Sequence, residues 1–254
     1  MSDGVNNGVR SSDPVREGMM LACLGRYNEA LGHFDEALAE EPENIDALLG
    51  RAMALVRLGS FARAVYALED AQKLDPDRAD IWYLQGLISF QRGNLQAALY
   101  CLDMALKDSP EHMEAWGLSG NCHYYLGEYQ KAMDCYDKVL KIDDRYPRAW
   151  YNKGVVLSDI RLYNEALHCY GMVLDINPNM GVVWTNKGYC LAMLNRYKEA
   201  LDCLNVALDL NPDDVTALNN KAAALRRLGR EEEAVAFDNK VRELTIGRGP
   251  HTVI

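Results

Sequence analysis

Apolar and very small residues recur along the chain with the spacing of helices, in segments that come in pairs. Trp150, Gly154 and Leu157 stand at positions i, i+4 and i+7, on one face of a predicted helix. A break follows near Arg161, and the next apolar stripe consists of Tyr163, Ala166, Tyr170 and Val173. This second helix should end before Pro178, because proline lacks an amide donor and disfavours the α conformation of the residue before it.

The two-helix pattern repeats every 34 residues. All four tryptophans follow this step, at Trp82, Trp116, Trp150 and Trp184. In all seven copies, glycine or alanine stands four residues after the position that tryptophan holds in these four. Alanine follows twelve residues later. Glycine also holds the break between the two helices in five copies, where a residue that ends a helix often needs positive φ. The spacing predicts about seven helix pairs, which begin near residues 11, 45, 79, 113, 147, 181 and 215.

A single helix pair of this kind cannot bury its apolar faces. Stacking against the neighbouring pairs buries them, so the stability of such an array comes from contacts between adjacent copies. The sequence therefore predicts one repeat array over residues 13–246, a flexible tail over 1–12 and a second tail over 247–254.

The order of key residues resembles the tetratricopeptide repeat over most of the chain. The third copy shows it in Trp82, Gly86, Gly93, Ala98, Leu102, Ala105 and Pro110. The resemblance implies an all-α fold, a right-handed superhelical solenoid of antiparallel helix pairs. It also implies a protein–protein interaction module or adaptor that captures a peptide or helix of a partner protein in a concave groove.

In this family the first helix of each pair lines the concave surface. Counting the tryptophan as the fourth residue of a repeat, the inward positions are apolar or aromatic in the early copies and mainly polar in the late ones. The resemblance thus predicts a peptide-binding groove formed by Tyr83, Leu87, Phe90, Asn121, Tyr124, Tyr125, Tyr151, Asn152, Asn186, Tyr189, Asn219, Asn220 and Arg226.

Three of these asparagines occupy the same position in successive copies. Asn152, Asn186 and Asn220 resemble the asparagine ladder of repeat proteins that hold extended peptides. A carboxamide both donates and accepts, so it can pair with a peptide unit whatever the side chains are. The alternative is that these asparagines bond to neighbouring helices. A clamp for chaperone tails would need lysine at position 5 and asparagine at position 9 of one repeat, and no copy has both.

The last predicted helix, residues 231–244, suggests a second function. Its apolar positions Ala234, Phe237, Val241 and Leu244 have no following copy to cover them. The alternative to peptide capture is therefore a structural scaffold that self-associates through this end, as a possible homo-oligomer.

Net charge and sequence motifs argue against several other classes of partner and function. The net charge of −10 and the absence of a dense basic patch argue against nucleic acid and anionic membrane surfaces as partners. The polar start does not predict a secretory signal, and no apolar run could span a bilayer. Scattered histidines and the lack of catalytic or nucleotide-binding motifs predict neither an enzyme nor a metal or cofactor site.

The seven cysteines follow the repeat rather than a disulfide framework. Cys101, Cys135, Cys169 and Cys203 are 34 residues apart, so they should lie about one repeat apart, beyond the reach of a disulfide at roughly 7 Å between Cα atoms. We interpret them as small packed residues. An odd number of unpaired thiols favours a reducing compartment, and we expect a cytoplasmic protein.

Overall fold

A computed structural model describes residues 13–246 and shows fourteen α-helices and no strand in that range. The tails predicted at 1–12 and 247–254 lie outside the described residues. The first seven helices are α1 (Pro14–Cys23), α2 (Tyr27–Glu40), α3 (Ile45–Arg57), α4 (Phe61–Leu74), α5 (Ala79–Gln91), α6 (Leu95–Asp108) and α7 (Met113–Tyr125). The remaining helices are α8 (Tyr129–Ile142), α9 (Pro147–Asp159), α10 (Tyr163–Ile176), α11 (Gly181–Met193), α12 (Tyr197–Leu210), α13 (Val215–Arg227) and α14 (Glu231–Ile246).

The helices form two compact units, and the division falls after Cys122, inside α7. Within the first unit, α1 packs on α2, α3 on α4, and α5 on α6. Within the second, α9 packs on α10, α11 on α12, and α13 on α14. Six of the seven predicted helix pairs, all except α7 and α8, therefore pack as pairs within their units.

In each unit the first helices of successive pairs lie closer together than the second helices. Helix α3 contacts both α1 and α5, and α11 contacts both α9 and α13. Among the described helices of either unit, no second helix of a pair contacts the second helix of the next pair. Each unit therefore curves with its first helices on the inner side, and the solvent-facing side chains of these helices share one inner face.

The short turn between the two helices of a pair depends on one residue in the left-handed conformation. The glycines of five turns have φ between +71° and +77°, as the sequence predicted. The other two turns use Arg161, with φ 66°, and Asn195, with φ 61°. The left-handed region is unfavourable for residues with a Cβ, but asparagine adopts it more readily than arginine. Arg161 is therefore the most strained residue of this set.

Four of the first helices carry a tryptophan that bonds to the loop before the helix. The indole N–H of Trp82 donates to the carbonyl oxygen of Pro76 at 3.1 Å, and those of Trp116 and Trp184 form the same bond six residues back at 2.8 Å. Trp150 bonds the carbonyl of Asp144 at 2.7 Å. The acceptor is a backbone atom, so the junction that has aspartate in place of proline keeps the bond.

The core is filled where a very small residue on the first helix meets a large one on the second. A Cβ added to Gly154 of α9 would lie 2.7 Å from Cε1 of Tyr170 in α10, and one added to Gly188 would lie 2.7 Å from Cγ of Leu204. Ala166 is fully buried in the same helix pair. The small residues thus allow the helix axes to approach closely.

The cysteines are free, and most are packing residues as predicted. Cys122, Cys135, Cys169, Cys190 and Cys203 are buried, Cys101 is half-buried and Cys23 is exposed. Burial raises the pKa of the Cys122 thiol to about 12 and that of Cys169 to about 11. At neutral pH these thiols are therefore protonated and unreactive.

Candidate peptide-binding surface

The predicted groove residues of the first unit differ in what they expose. Tyr83 and Phe90 of α5 and Asn121 of α7 are half-buried, whereas Leu87 is only 8% exposed and belongs to the hydrophobic core. Leu87 is therefore a packing residue rather than a lining residue. The ring of Tyr83 lies against the His112 imidazole, with 4.9 Å between the ring centroids.

His112 also belongs to a charged row that the sequence did not reveal. Arg78 donates to Asp46 at 2.7 Å and to Asp80 at 3.3 Å, and Asp80 lies 3.7 Å from Nε2 of His112. Hydrogen bonds from His112 and Arg78 lower the pKa of the Asp80 carboxyl. Nδ1 of His112 accepts the amide N–H of Ala115 at 3.3 Å and so caps the start of α7. This row links three successive repeats.

In the second unit, tyrosines gather around the end of α9. The hydroxyl of Tyr124 donates to the Asp159 carboxylate at 2.7 Å, and this bond raises the pKa of Tyr124 to about 12. The Tyr124 ring lies 5.3 Å from that of Tyr125 in an edge-on arrangement and 6.1 Å from that of Tyr129 in a tilted one. Tyr125 is 66% exposed, so this cluster presents aromatic surface to solvent.

A second aromatic group lies on α9, α10 and α11. Tyr189 packs edge-to-face on Tyr163, with 6.2 Å between centroids, and remains partly exposed. Burial raises the pKa of Tyr189, with smaller contributions from Tyr163 and from the Asp159 charge. Tyr151 lies 6.3 Å from the buried ring of Tyr170. The sequence-predicted residues Tyr151 and Tyr189 thus both contact rings of α10 in the same unit.

The asparagine ladder takes part in contacts between helices. Nδ2 of Asn186 donates to the Tyr151 hydroxyl of the preceding repeat at 3.4 Å. Asn152 and Asn220 are half-buried, and the adjacent Asn219 is exposed. At Asn186 the structure therefore shows the interhelical contact that was the alternative to ligand binding. The length of this bond places it at the weak end for N–H···O contacts.

Arg226 is engaged within its own repeat. Its guanidinium donates to Glu231 at 3.1 Å and to Asp238 of α14. Asp238 stands where the other repeats carry Phe, Leu or Tyr, and this ion pair accounts for the exception. Arg226 thus stabilises the last helix pair, and a ligand carboxylate would have to compete with two carboxylates of the protein.

Three tyrosines at the start of second helices were not among the predicted site residues. Tyr129, Tyr163 and Tyr197 are separated by 34 residues, which is the signal that could have revealed them. Tyr197 accepts a hydrogen bond from Nε of Arg227 at 2.9 Å, and that guanidinium lies over its ring at 5.6 Å. Tyr129 and Tyr163 pack against the predicted groove residues Tyr124 and Tyr189.

The apolar side chains predicted to be uncovered on the last helix are less exposed than the sequence suggested. Phe237 is half-buried, and the Lys221 ammonium lies 4.3 Å from its ring centroid. Val241 and Leu244 are half-buried as well. A cavity of about 610 Å³ borders Phe237, between α12, α13 and α14. The most exposed apolar residues of α14 are instead Val235 and Ile246.

Family profiles match the chain along most of its length. Profiles described as tetratricopeptide repeat match residues 24–88, 147–180, 182–214 and 203–236, and one described as TPR repeat matches 120–159. The chain belongs to the tetratricopeptide repeat family. Members of this family are typically non-enzymatic scaffolds for interactions between proteins. No curated protein sequence gives a significant match.

Solved structures of tetratricopeptide repeat proteins share the fold. MamA (residues 41 to the end) from Desulfovibrio magneticus RS-1 has a TM-score of 0.65 and 24% identity, covering 68% of this chain and 98% of its own. YrrB, described as a TPR protein with an unusual peptide-binding site, has a TM-score of 0.60 and 22% identity, covering 74% and 97%. Pseudomonas aeruginosa pilF reaches 0.71 at 17% identity, covering 80% and 92%.

Within residues 13–246, none of the helices combines the length and the apolar character needed to cross a bilayer. Within the same range no group of three or more His, Cys, Asp or Glu side chains is arranged to hold a metal ion.

Proposed function

We propose that this tetratricopeptide repeat protein captures a peptide or helical segment of a partner protein on the inner face of its second unit. The observation that carries the proposal is the shared placement of Tyr151, Asn186 and Tyr189 on the adjoining helices α9 and α11. Equivalent positions of successive repeats lie side by side on that face, so a ligand lying across it meets the same chemistry more than once.

The carboxamides supply the hydrogen-bonding part of this surface. Asn186 holds Tyr151 through a 3.4 Å contact, which a ligand can replace at little cost. A carboxamide can bond both the C=O and the N–H of a peptide unit, and each such bond contributes about 0.5–1.5 kcal/mol. Asn152 and Asn220, one repeat on either side, occupy the equivalent positions.

The tyrosines supply the apolar part. Exposed aromatic side chains on a monomer mark interaction surfaces, because they bury a large area with few rotatable bonds. Tyr125 and Tyr189 are exposed, and each is braced by another tyrosine, Tyr124 and Tyr163 respectively. Their orientation is thus fixed before a ligand arrives, which reduces the entropy lost on binding.

The test uses a phage-displayed library of random dodecapeptides, selected on the full chain. We expect selected peptides to bind Tyr189→Ala at least about tenfold more weakly, as expected for an aromatic hot-spot residue, and Asn186→Ala about two- to tenfold more weakly, as expected for a lost hydrogen bond. The matched control is Tyr66→Ala, since Tyr66 is a 69% exposed tyrosine on α4, a second helix. Binding that is unchanged by both inner-face variants, or equally weakened by the control, contradicts the proposal.

Self-association through the last helix is the second candidate function. Its support is the apolar surface of Val235 and Ile246, although the Lys221 ammonium covers one face of Phe237. Under this alternative Phe237→Glu abolishes association and Asn186→Ala leaves it intact. Sedimentation velocity over a range of concentrations distinguishes the two, because a monomer at every concentration eliminates the alternative.

A further inference from the structure

Asp159 is an acid at an unfavourable place. It is the last residue of α9, where the helix dipole concentrates partial negative charge and favours cations. None of the other repeats has an acid at this position: the equivalent residues are Cys23, Arg57, Gln91, Tyr125, Met193 and Arg227. Within residues 13–246 no basic side chain forms an ion pair with Asp159. Its carboxylate accepts a hydrogen bond from the Tyr124 hydroxyl.

Tyrosines lie near this carboxylate. The ring of Tyr124, whose hydroxyl donates to Asp159, has the rings of Tyr125 and Tyr129 beside it, with 5.3 Å and 6.1 Å between centroids. The Asp159 charge also adds to the rise in the pKa of Tyr189, after burial and Tyr163. Asp159 itself is exposed to solvent.

We infer that Asp159 and its flanking tyrosines bind a basic side chain, lysine or arginine, of the captured peptide. This inference rests on the proposed function and names the chemistry that the partner must carry. A cation is attracted to the face of an aromatic ring within about 6 Å and to a carboxylate beside it, and a guanidinium can stack and form hydrogen bonds at once. The net charge of −10 favours the approach of a basic segment.

The inference explains why an acid is found at a helix C-terminus, where it meets the negative end of the helix dipole. Its contact within the fold is the neutral hydroxyl of Tyr124, which supplies no positive charge. The cation of a ligand would neutralise both the carboxylate and the negative end of α9. Binding would therefore add the opposite charge that favours this position.

The experiment compares two variants with the same change of charge. Asp159→Asn keeps the acceptor for Tyr124 and removes the charge. Asp175→Asn is the control, because Asp175 is exposed near the C-terminal end of α10 and bonds to no tyrosine within residues 13–246. Dodecapeptides selected on the full chain are synthesised with each basic residue or with its neutral counterpart, citrulline for arginine and norleucine for lysine.

We expect selected peptides to be enriched in arginine or lysine, and one basic position to dominate. Replacing it by the neutral residue, or replacing Asp159 by asparagine, should each weaken binding about tenfold, and the two changes together no more than either alone. Asp175→Asn should leave the affinity unchanged. Asp175→Asn should melt at or above the temperature of the unaltered protein, since it removes an acid from a helix C-terminus. Asp159→Asn should remain folded, because its carboxamide oxygen still accepts the Tyr124 hydroxyl.

Three outcomes contradict the inference. In the first, the selected peptides bind through Tyr189 and Asn186, carry no basic residue and bind Asp159→Asn with unchanged affinity. This outcome overturns the inference and leaves the proposed function standing. An equal loss with Asp159→Asn and Asp175→Asn shows general attraction by the acidic chain and also overturns it. Peptides that ignore every inner-face variant, or a library that yields no binder, overturn the proposed function and this inference together.

Discussion

Gly154 is packed so tightly that the addition of one methyl group should destabilise the protein. In Gly154→Ala the new Cβ would lie 2.7 Å from Cε1 and 3.1 Å from Cδ1 of Tyr170, whereas carbon atoms pack at about 3.5–4.0 Å. Tyr170 is 1% exposed, so its ring is enclosed by the core. Overpacking of this kind costs about 1–3 kcal/mol, and the better helix propensity of alanine returns about 1 kcal/mol.

The control for this variant lies in the partner helix. Gly171 is inside α10, and a Cβ added there meets no atom within 4 Å. Gly171→Ala should therefore stabilise the protein by about 1 kcal/mol through helix propensity alone. The difference between the two variants, about 1–3 kcal/mol, isolates the packing term. Urea denaturation followed by far-UV circular dichroism measures both free energies of unfolding.

A second substitution tests the assigned cause. Tyr170→Leu removes the ring that the new methyl group meets, so the double variant Gly154→Ala, Tyr170→Leu should be less unstable than the sum of the single changes. If Gly154→Ala proves as stabilising as Gly171→Ala, the close approach of α9 and α10 is not limiting and the reasoning fails.

Three further predictions concern backbone strain, ionisation and thiol reactivity. Arg161→Gly should raise the free energy of unfolding by about 0.5–1 kcal/mol by removing left-handed strain, while Gly127→Ala should lower it by about 1 kcal/mol; equal effects in calorimetry would contradict this. Because the pKa of Tyr124 is raised to about 12 in the folded state, its bond stabilises the protein below pH 10 and is lost as the pH rises towards 12. The stability difference between the unaltered protein and Tyr124→Phe should therefore shrink over that window, and a constant difference would oppose it. A thiol-specific chromogenic reagent should label exposed Cys23 in native protein and leave Cys122 unlabelled until unfolding.

The periodic part of the fold could be predicted because the same physical requirement recurs in every repeat. A small residue is needed wherever two helix axes approach, and a left-handed residue wherever the chain turns back, so Gly154 and Arg161 were identifiable from spacing alone. The role of Trp150 was not, since its acceptor is the backbone carbonyl of Asp144. Every residue has a backbone carbonyl, so a backbone acceptor cannot be recognised from the sequence.

The candidate site was less predictable because it depends on individual pairings rather than on the repeat. Arg226 occupies an inward position, yet its guanidinium is held by Asp238, twelve residues later and on another helix. Leu87 shares the inward register but lies in the core. Tyr129 and Tyr163 stand outside the family's inward positions and still pack against Tyr124 and Tyr189. Such contacts require the actual side-chain conformations.

The indole bonds described above give the protein a set of built-in optical probes. Trp82, Trp116, Trp150 and Trp184 each report on a different junction between helix pairs, because opening a junction breaks the indole bond and wets the ring. Variants that keep a single tryptophan, with phenylalanine at the other three positions, would let emission spectra follow the melting of one junction at a time. An array whose neighbours are only locally coupled would show four separate midpoints, and a fully cooperative one would show a single value.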